Sequence, residues 1–320
     1  MIPFILRRLI QAFFILVLVT FISFIIMNMA PGNALQTFID PRIPPSELAK
    51  AEASLGLDQP LPVQYLRWLK AVTEGNLGYS IKSGGGVLEL ILSRLGPTLI
   101  LMGSAFILMF ILALIIGIVS AAKPYSLTDY IATFTAFAGI SIPGFFFALT
   151  LIYIFAVQLG WLPTSGLRTY QENLTGWSAF IDRVRHLVLP VTVLAFTGVA
   201  ELVRHIRSAV TESLAQDYIR TAKGKGVSPL KVLTAHALRN SWLPIITLIG
   251  VALPRFFSGS VIVEVIFAWP GMGRLLVDSV FARDFPVAMG INLFAAILVL
   301  LGSLLADTLY AVADPRIRYE

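Results

Sequence analysis

The sequence predicts an all-α integral membrane protein with about six transmembrane helices and both termini cytoplasmic. Three observations predict it. Hydrophobic residues make up 57% of the 320 and charged residues only 13%, whereas a water-facing globule carries about 25% charge. Five apolar runs, Leu9–Ala30, Thr98–Ser120, Ile131–Leu159, Trp242–Val263 and Phe285–Leu305, each reach the roughly 20 helical residues that a bilayer core requires. Lysine and arginine divide unevenly among the joining segments, as membrane topology demands.

The first run follows Arg7 and Arg8 and holds 22 uncharged residues. That exceeds the roughly 7–15 residues of a signal-peptide core, and an A-x-A-like site is not evident. It reads as a retained first span, residues 1–30. Segment 31–97 follows as an extracytoplasmic segment. Helix-like stretches there are Ser46–Leu55, after Pro44-Pro45, and Pro62–Thr73, which opens on a first-turn proline. Gly75, Gly78 and Ser83-Gly84-Gly85-Gly86 then mark turns.

Residues 98–320 hold the remaining spans. Ile142-Pro143-Gly144 interrupts the run Ile131–Leu159. That run is either one kinked span or a span plus an interfacial turn, since proline removes a backbone donor. Leu187–Val203 is a sixth, weaker span with Pro190 near its start. With the N-terminus inside, the inner segments hold twelve Lys and Arg, from Arg7 and Arg8 through Lys123 and the 204–241 loop to Arg316 and Arg318. The two short outer loops hold five: Arg168, Arg183, Arg185, Arg274 and Arg283. Trp161, Trp177, Trp242 and Trp269 fall near the expected interfaces, where aromatic belts form.

Several chemistries are excluded. The chain has no cysteine, so disulfides, thiolate zinc sites and cysteine nucleophiles are impossible. His186, His205 and His236 share no metal spacing. The G-x-x-x-x-G-K-[ST] phosphate loop is missing, and Gly224-Lys225-Gly226 is too short to serve as one. The net charge of +6 follows from inner loops collecting Lys and Arg and points to no nucleic acid.

The inner loop 204–241 is the most informative stretch. Residues 208–225 read as a helix ended by Gly224 and Gly226. Ser228 and Pro229 open a second helix running to about Asn240. A short helix bearing small and basic residues suits the groove of a partner.

The run Asp217-Tyr218-Ile219-Arg220-Thr221-Ala222-Lys223-Gly224-Lys225-Gly226, followed by His236-Ala237-Leu238-Arg239-Asn240, resembles the coupling loop of ABC-importer permeases, in particular the dipeptide and oligopeptide branch. Arg220-Thr221-Ala222 stands at the EAA triplet of that pattern, with arginine replacing the glutamate, and Gly226 at its glycine. The pattern's Leu-Pro is displaced to Leu243-Pro244. The likeness continues in Leu55-Gly56-Leu57-Asp58, Gly75-Asn76-Leu77-Gly78, Ser141-Ile142-Pro143-Gly144, the stretch Gly259 to Gly273, and Arg283-Asp284-Phe285-Pro286.

The resemblance implies a type I ABC importer fold in a bacterial or archaeal plasma membrane. It implies a second homologous permease, two cytoplasmic ATPases carrying ATP and magnesium, and an extracytoplasmic solute-binding protein. No cofactor belongs to this chain. Coupling falls to Asp217, Tyr218, Arg220, Thr221, Ala222, Gly226 and Val227. The same branch includes carriers of nickel chelates, glutathione and other small solutes.

Arg255, about 16 Å along a helix from Pro244, should face protein or water, because an arginine in hydrocarbon costs at least about 2.5 kcal/mol. It either pairs with Glu264 or Asp307 or lines a solute path. Glu264 precedes the apolar-aromatic turn Phe267–Gly273. Glu264 is either paired structurally or part of the solute path, and Phe267 and Trp269 are candidates for the path or its outer gate. An ion-coupled secondary transporter would show repeated halves, which are not apparent. An intramembrane enzyme would need a nucleophile-base pair or metal motif, and none is convincing.

Overall fold

The computed structural model describes residues 2–29, 58–169, 174–242, 244–246 and 260–313. Ser46–Leu55, Arg255, Leu243 of the Leu-Pro step and most of the run Trp242–Val263 lie outside them. The described chain is helical apart from turns and one isolated bridge between Tyr79 and Gly86. Among the described residues, four helices are long and apolar enough to cross a membrane. The chain divides into two compact units, drawn from Met1–Thr98 with Pro270–Leu300 and from Leu99–Trp269 with Leu301–Glu320.

In the first unit, α1 (Ile2–Met29) meets α2 (Leu61–Thr73), which starts with proline in its first turn as expected. Tyr65 is the anchor of α2. Its ring lies edge-on to Phe21 and Phe24 at 5.2 and 5.5 Å. Its hydroxyl bonds Thr20 Oγ1 at 2.9 Å and Val17 O at 3.1 Å, so the buried phenol leaves no polar atom stranded.

Asp284 organises a second part of this unit. It is 3% exposed and accepts from Ser80 Oγ at 2.5 Å and from the amides of Ile81 and Lys82 at 3.1 and 3.3 Å. One carboxylate thus pins the turn that closes on the Tyr79–Gly86 bridge. Val87 and Ile91 at the start of α3 (Val87–Ala122) pack with Met272 of α10 (Met272–Phe281). They also meet Val287 and Ile291 of α11 (Phe285–Ala313).

In the second unit, the weak sixth span proves to be the middle of α6 (Gly176–Leu214), 39 residues long. It is also the most interior of the four long helices, with 56% of its apolar window buried. Its modest hydropathy reflects that position, since protein rather than lipid covers it. Pro190 sits within α6 and is buried, which membrane helices tolerate where neighbours satisfy the freed carbonyl.

The run Ile131–Leu159 is two helices. One is α4 (Leu127–Ser141); the other is α5 (Gly144–Leu151), which widens into a π-helical turn at Ile152–Gln158. Ile142 has an extended ψ of 123°, the conformation that a following proline imposes. At 15 residues, α4 reaches about 22 Å, short of a full crossing.

Small residues let α4 and α3 approach α6 closely. A Cβ on Gly139 would lie 2.4 Å from Phe196 O, and one on Gly198 would lie 2.5 Å from Met109 Sδ. Gly139→Ala is expected to cost about 1–3 kcal/mol, because the clash is with backbone and overpacking cannot relax. A lowered melting temperature of the purified protein in detergent checks it. An unchanged value removes the close-packing account.

Candidate coupling surface

After Leu214 the chain breaks at Ala215-Gln216 and restarts as α7 (Asp217–Gly224). The continuous helix expected over 208–225 is therefore two helices, with Gln216 in extended geometry at ψ 153°. Hydroxyls tie the corner. Tyr218 OH bonds Ser213 Oγ at 2.7 Å, and that serine donates to Ala237 O at 2.9 Å. Ser241 Oγ reaches the same carbonyl at 2.9 Å and Ala209 O at 3.2 Å. Ala237 closes a π-helical turn, Val232–Ala237, that continues α8 (Pro229–Lys231). The chain stays helical to Trp242, close to the expected second helix.

Below the corner, Ile219, Ala222, Val232 and Ala237 form a small core with Val227, Leu214 and Leu233 against it. Asp217 lies in the first turn of α7 and Lys223 in the last, each complementing the helix dipole. The helix stops by a double bond pattern: Val227 N to Ala222 O at 3.2 Å and Gly226 N to Lys223 O at 3.0 Å. This is the Schellman arrangement, with Gly226 at φ 75° in the left-handed position that glycine fills without strain.

The coupling residues therefore fall into two sets. Ala222, Gly226 and Val227 shape the unit through core and turn, and Tyr218 ties it while remaining half-exposed. Asp217, Arg220 and Thr221 point outward; Asp217 and Arg220 are 3.5 Å apart but 95% and 85% exposed, so that pair contributes little. Two residues were not anticipated. Ile219 anchors the helix from beneath, and Leu230 stands 72% exposed beside Pro229. An isoleucine between Tyr218 and Arg220 signals burial by its place on the apolar face of a short helix. Leu230 carries no such signal, since the same pattern would suit a buried leucine.

At the other end of the unit, the aromatic turn is sealed. Glu264 and Trp269 are 0% exposed and Phe267 2%. α9 (Val261–Ile266) ends at Phe267, whose carbonyl accepts from Gly166 N at 2.8 Å. Trp269 packs on Leu101, Ala105 and Val191, and Phe267 on Ala148, Leu151, Leu189 and Val193. Trp269 is thus a core residue rather than an interfacial anchor, and none of the three side chains lines an opening in this conformation. Trp161 and Trp177, by contrast, are exposed.

A further cluster was not read from the sequence. Asp129, in the first turn of α4 and before the apolar run begins, takes two bonds from Arg207 of α6: Nη2 to Oδ2 at 2.8 Å and Nε to Oδ1 at 3.0 Å. Ser120 Oγ donates to Oδ1, and Tyr125 N to Oδ2 at 2.8 Å. The hydrogen-bonded Arg207 fork, aided by Ser120 and Tyr125, holds the Asp129 carboxyl well below the usual carboxylate range despite burial. A lowered folded-state pKa gives stability that is complete above the ordinary value near 3.8 and lost as pH falls through the folded one. Melting temperature should therefore show no Asp129-dependent change between pH 5 and 8. Below about pH 4, wild type should lose its margin over Asp129→Asn.

Comparison with known proteins identifies the architecture. The family model described as binding-protein-dependent transport system inner membrane component matches residues 113–319, and its N-terminal companion matches residues 1–102. The chain belongs to that family. It is thus a multi-pass membrane component of a transport system with the permease fold. It is similar to the oligopeptide transport system permease protein AppB of Bacillus subtilis, 46% identical over all of both chains. It is also similar to the di/tripeptide transport system permease protein DppB of Pseudomonas aeruginosa, 38% identical over 94% of each. The fold is shared with a crystal structure of an amino acid ABC transporter with histidines, at 18% identity and a TM-score of 0.54, covering 70% of this transport component and 94% of the other chain.

Proposed function

We propose that this chain is one of two permease subunits of an ATP-driven importer that brings oligopeptides or dipeptides into the cell. The observation that carries the mechanism is the α7–Gly226–Pro229 unit: a rigid, solvent-facing knob on a chain otherwise built for lipid. Arg220, Lys223, Lys225, Lys231 and the apolar Leu230 are all exposed within this one short segment. That arrangement suits an acidic-rimmed groove with an apolar floor on a partner ATPase.

In this reading both termini and the knob lie on the cytoplasmic side, in a bacterial or archaeal plasma membrane. ATP and magnesium are held by two partner ATPases, and this chain contributes no catalytic group. A binding protein delivers solute from outside, and a second, homologous permease completes the path. Closure of the ATPases on ATP carries residues 217–230 with them, and the membrane helices reorient as packed bodies. The sealed turn Glu264–Trp269 acts as scaffold to that path, with Trp269 and Phe267 holding its backbone in place.

The peptide assignment is supported by the names of the full-length relatives. Uptake of a labelled oligopeptide into proteoliposomes holding the purified complex, with binding protein outside, driven by ATP enclosed in the lumen and stopped by vanadate, tests it. Uptake driven by an ion gradient without ATP would overturn it. Leu230→Asp is expected to weaken retention of the ATPase subunits by about 2 kcal/mol, the scale of an apolar anchor at an interface centre. Co-purification with an affinity-tagged permease reads this directly, and undiminished ATPase recovery would remove Leu230 from the interface.

A further inference from the structure

We propose that Asp129, Ser120 and Arg207 form a rigid joint that passes movement of the docking knob into the membrane helices, making Asp129 and Arg207 positioning residues for transport. The inference rests on the reading that residues 217–230 dock on an ATPase.

Four observations carry it. The first is the geometry of the pair. Arg207 meets both carboxylate oxygens of Asp129, through Nη2 at 2.8 Å and Nε at 3.0 Å. A planar guanidinium seated on a planar carboxylate fixes orientation as well as distance.

The second is the number of elements that converge. Ser120 lies near the end of α3, Asp129 in the first turn of α4 and Arg207 in α6. Ser120 Oγ donates to Asp129 and accepts from Arg207 Nε at 3.1 Å. Three helices are tied at one carboxylate that is 5% exposed.

The third is the absence of slack around the tie. A Cβ on Gly117 would lie 2.8 Å from Ile206 Cγ2 and 3.3 Å from Arg207 N, so α3 and α6 are in close contact beside the pair. Ile206 and Val210 share a buried core with Ala113, Ala121 and Ile245.

The fourth is position. α6 runs unbroken from Arg207 to Leu214, and Ser213 there is bonded to Tyr218 of the knob. A displacement entering at residues 217–218 reaches Arg207 through two turns of helix. Packed apolar residues of the same volume would serve stability as well or better than a buried ion pair. What they do not supply is a fixed angular register between three helices, which is what transmitting a movement needs.

The test measures peptide uptake and ATP hydrolysis together in proteoliposomes with the complete importer. Arg207→Lys keeps the charge and loses the fork; Asp129→Asn keeps the shape and loses the charge. Each is expected to lower peptide carried per ATP by about fivefold or more, the lower end of coupling between distant sites. Hydrolysis itself persists. The exchange Asp129→Arg with Arg207→Asp is expected to recover part of the loss.

Because the chain has no cysteine, Ser120→Cys with Arg207→Cys can be bridged by a short bifunctional thiol reagent. The joint predicts that bridging restores the ratio lost in the unbridged double variant. If Arg207→Lys does not assemble, the bridged pair decides alone. An unchanged peptide-to-ATP ratio in both single variants overturns the inference, as does a bridge that stops transport or leaves the ratio low. In either case wild-type transport keeps the functional reading intact. A wild-type complex that hydrolyses ATP and carries no peptide overturns that reading and the joint with it.

Discussion

Gly226→Val is expected to lower coupled transport by about tenfold or more while leaving membrane insertion and expression near wild type. At φ 75° an ordinary residue costs roughly 1–2 kcal/mol, and a β-branched side chain is a still poorer fit to that region. Nothing lies within 4 Å of a Cβ built on Gly226, so steric collision is not the cause. The loss comes from the backbone, which must abandon the Val227–Ala222 and Gly226–Lys223 bonds and swing α8 away from α7. Since 1.4 kcal/mol is a factor of ten, uptake should fall about tenfold or more. Gly226→Asn should be milder, because asparagine visits the left-handed region, with Gly226→Ala between the two. Uptake by the valine variant at the wild-type rate would count decisively against the coupling role of this turn.

Asp284→Ala should destabilise the outer turn of the first unit by about 2–4 kcal/mol, because it strands a buried hydroxyl and two amides at once. Asp284→Asn should be nearly as severe, since its amide group faces donors on at least one side. The turn contains Lys82, a tryptic site directly beside the contact. Faster cleavage there, and faster hydrogen exchange at Ile81 and Lys82, are the expected readouts. Unaltered protection in both variants would show that the turn is held by its glycine tip and the Tyr79–Gly86 bridge alone.

The features that were legible in the sequence are those written in local chemistry. Apolar runs placed α1, α3 and α11, and Gly226 with Ser228-Pro229 placed the knob, since hydropathy and turn residues act over a few positions. Features made by contact between distant segments were not legible. Asp129 and Arg207 are 78 residues apart, and nothing near either marks it as half of a pair. Asp284 stood in a recognised fragment, yet its role depends on a turn 204 residues away. α6 was undervalued for a physical reason: a helix wrapped by other helices needs less hydropathy than one facing lipid. Trp269 misled in the opposite sense, because the same indole that suits a headgroup layer also fills a core.

The unbroken length of α6 has one more consequence. At 39 residues it is about 58 Å long, nearly twice the ~30 Å of a hydrocarbon layer. On the topology proposed above, the excess length carries the basic cap past the headgroups into electrolyte. Counter-ions there screen rim charges within about 8 Å at physiological ionic strength. If the cap docks on an ATPase as proposed, raising salt should slow capture far more than it loosens the docked complex.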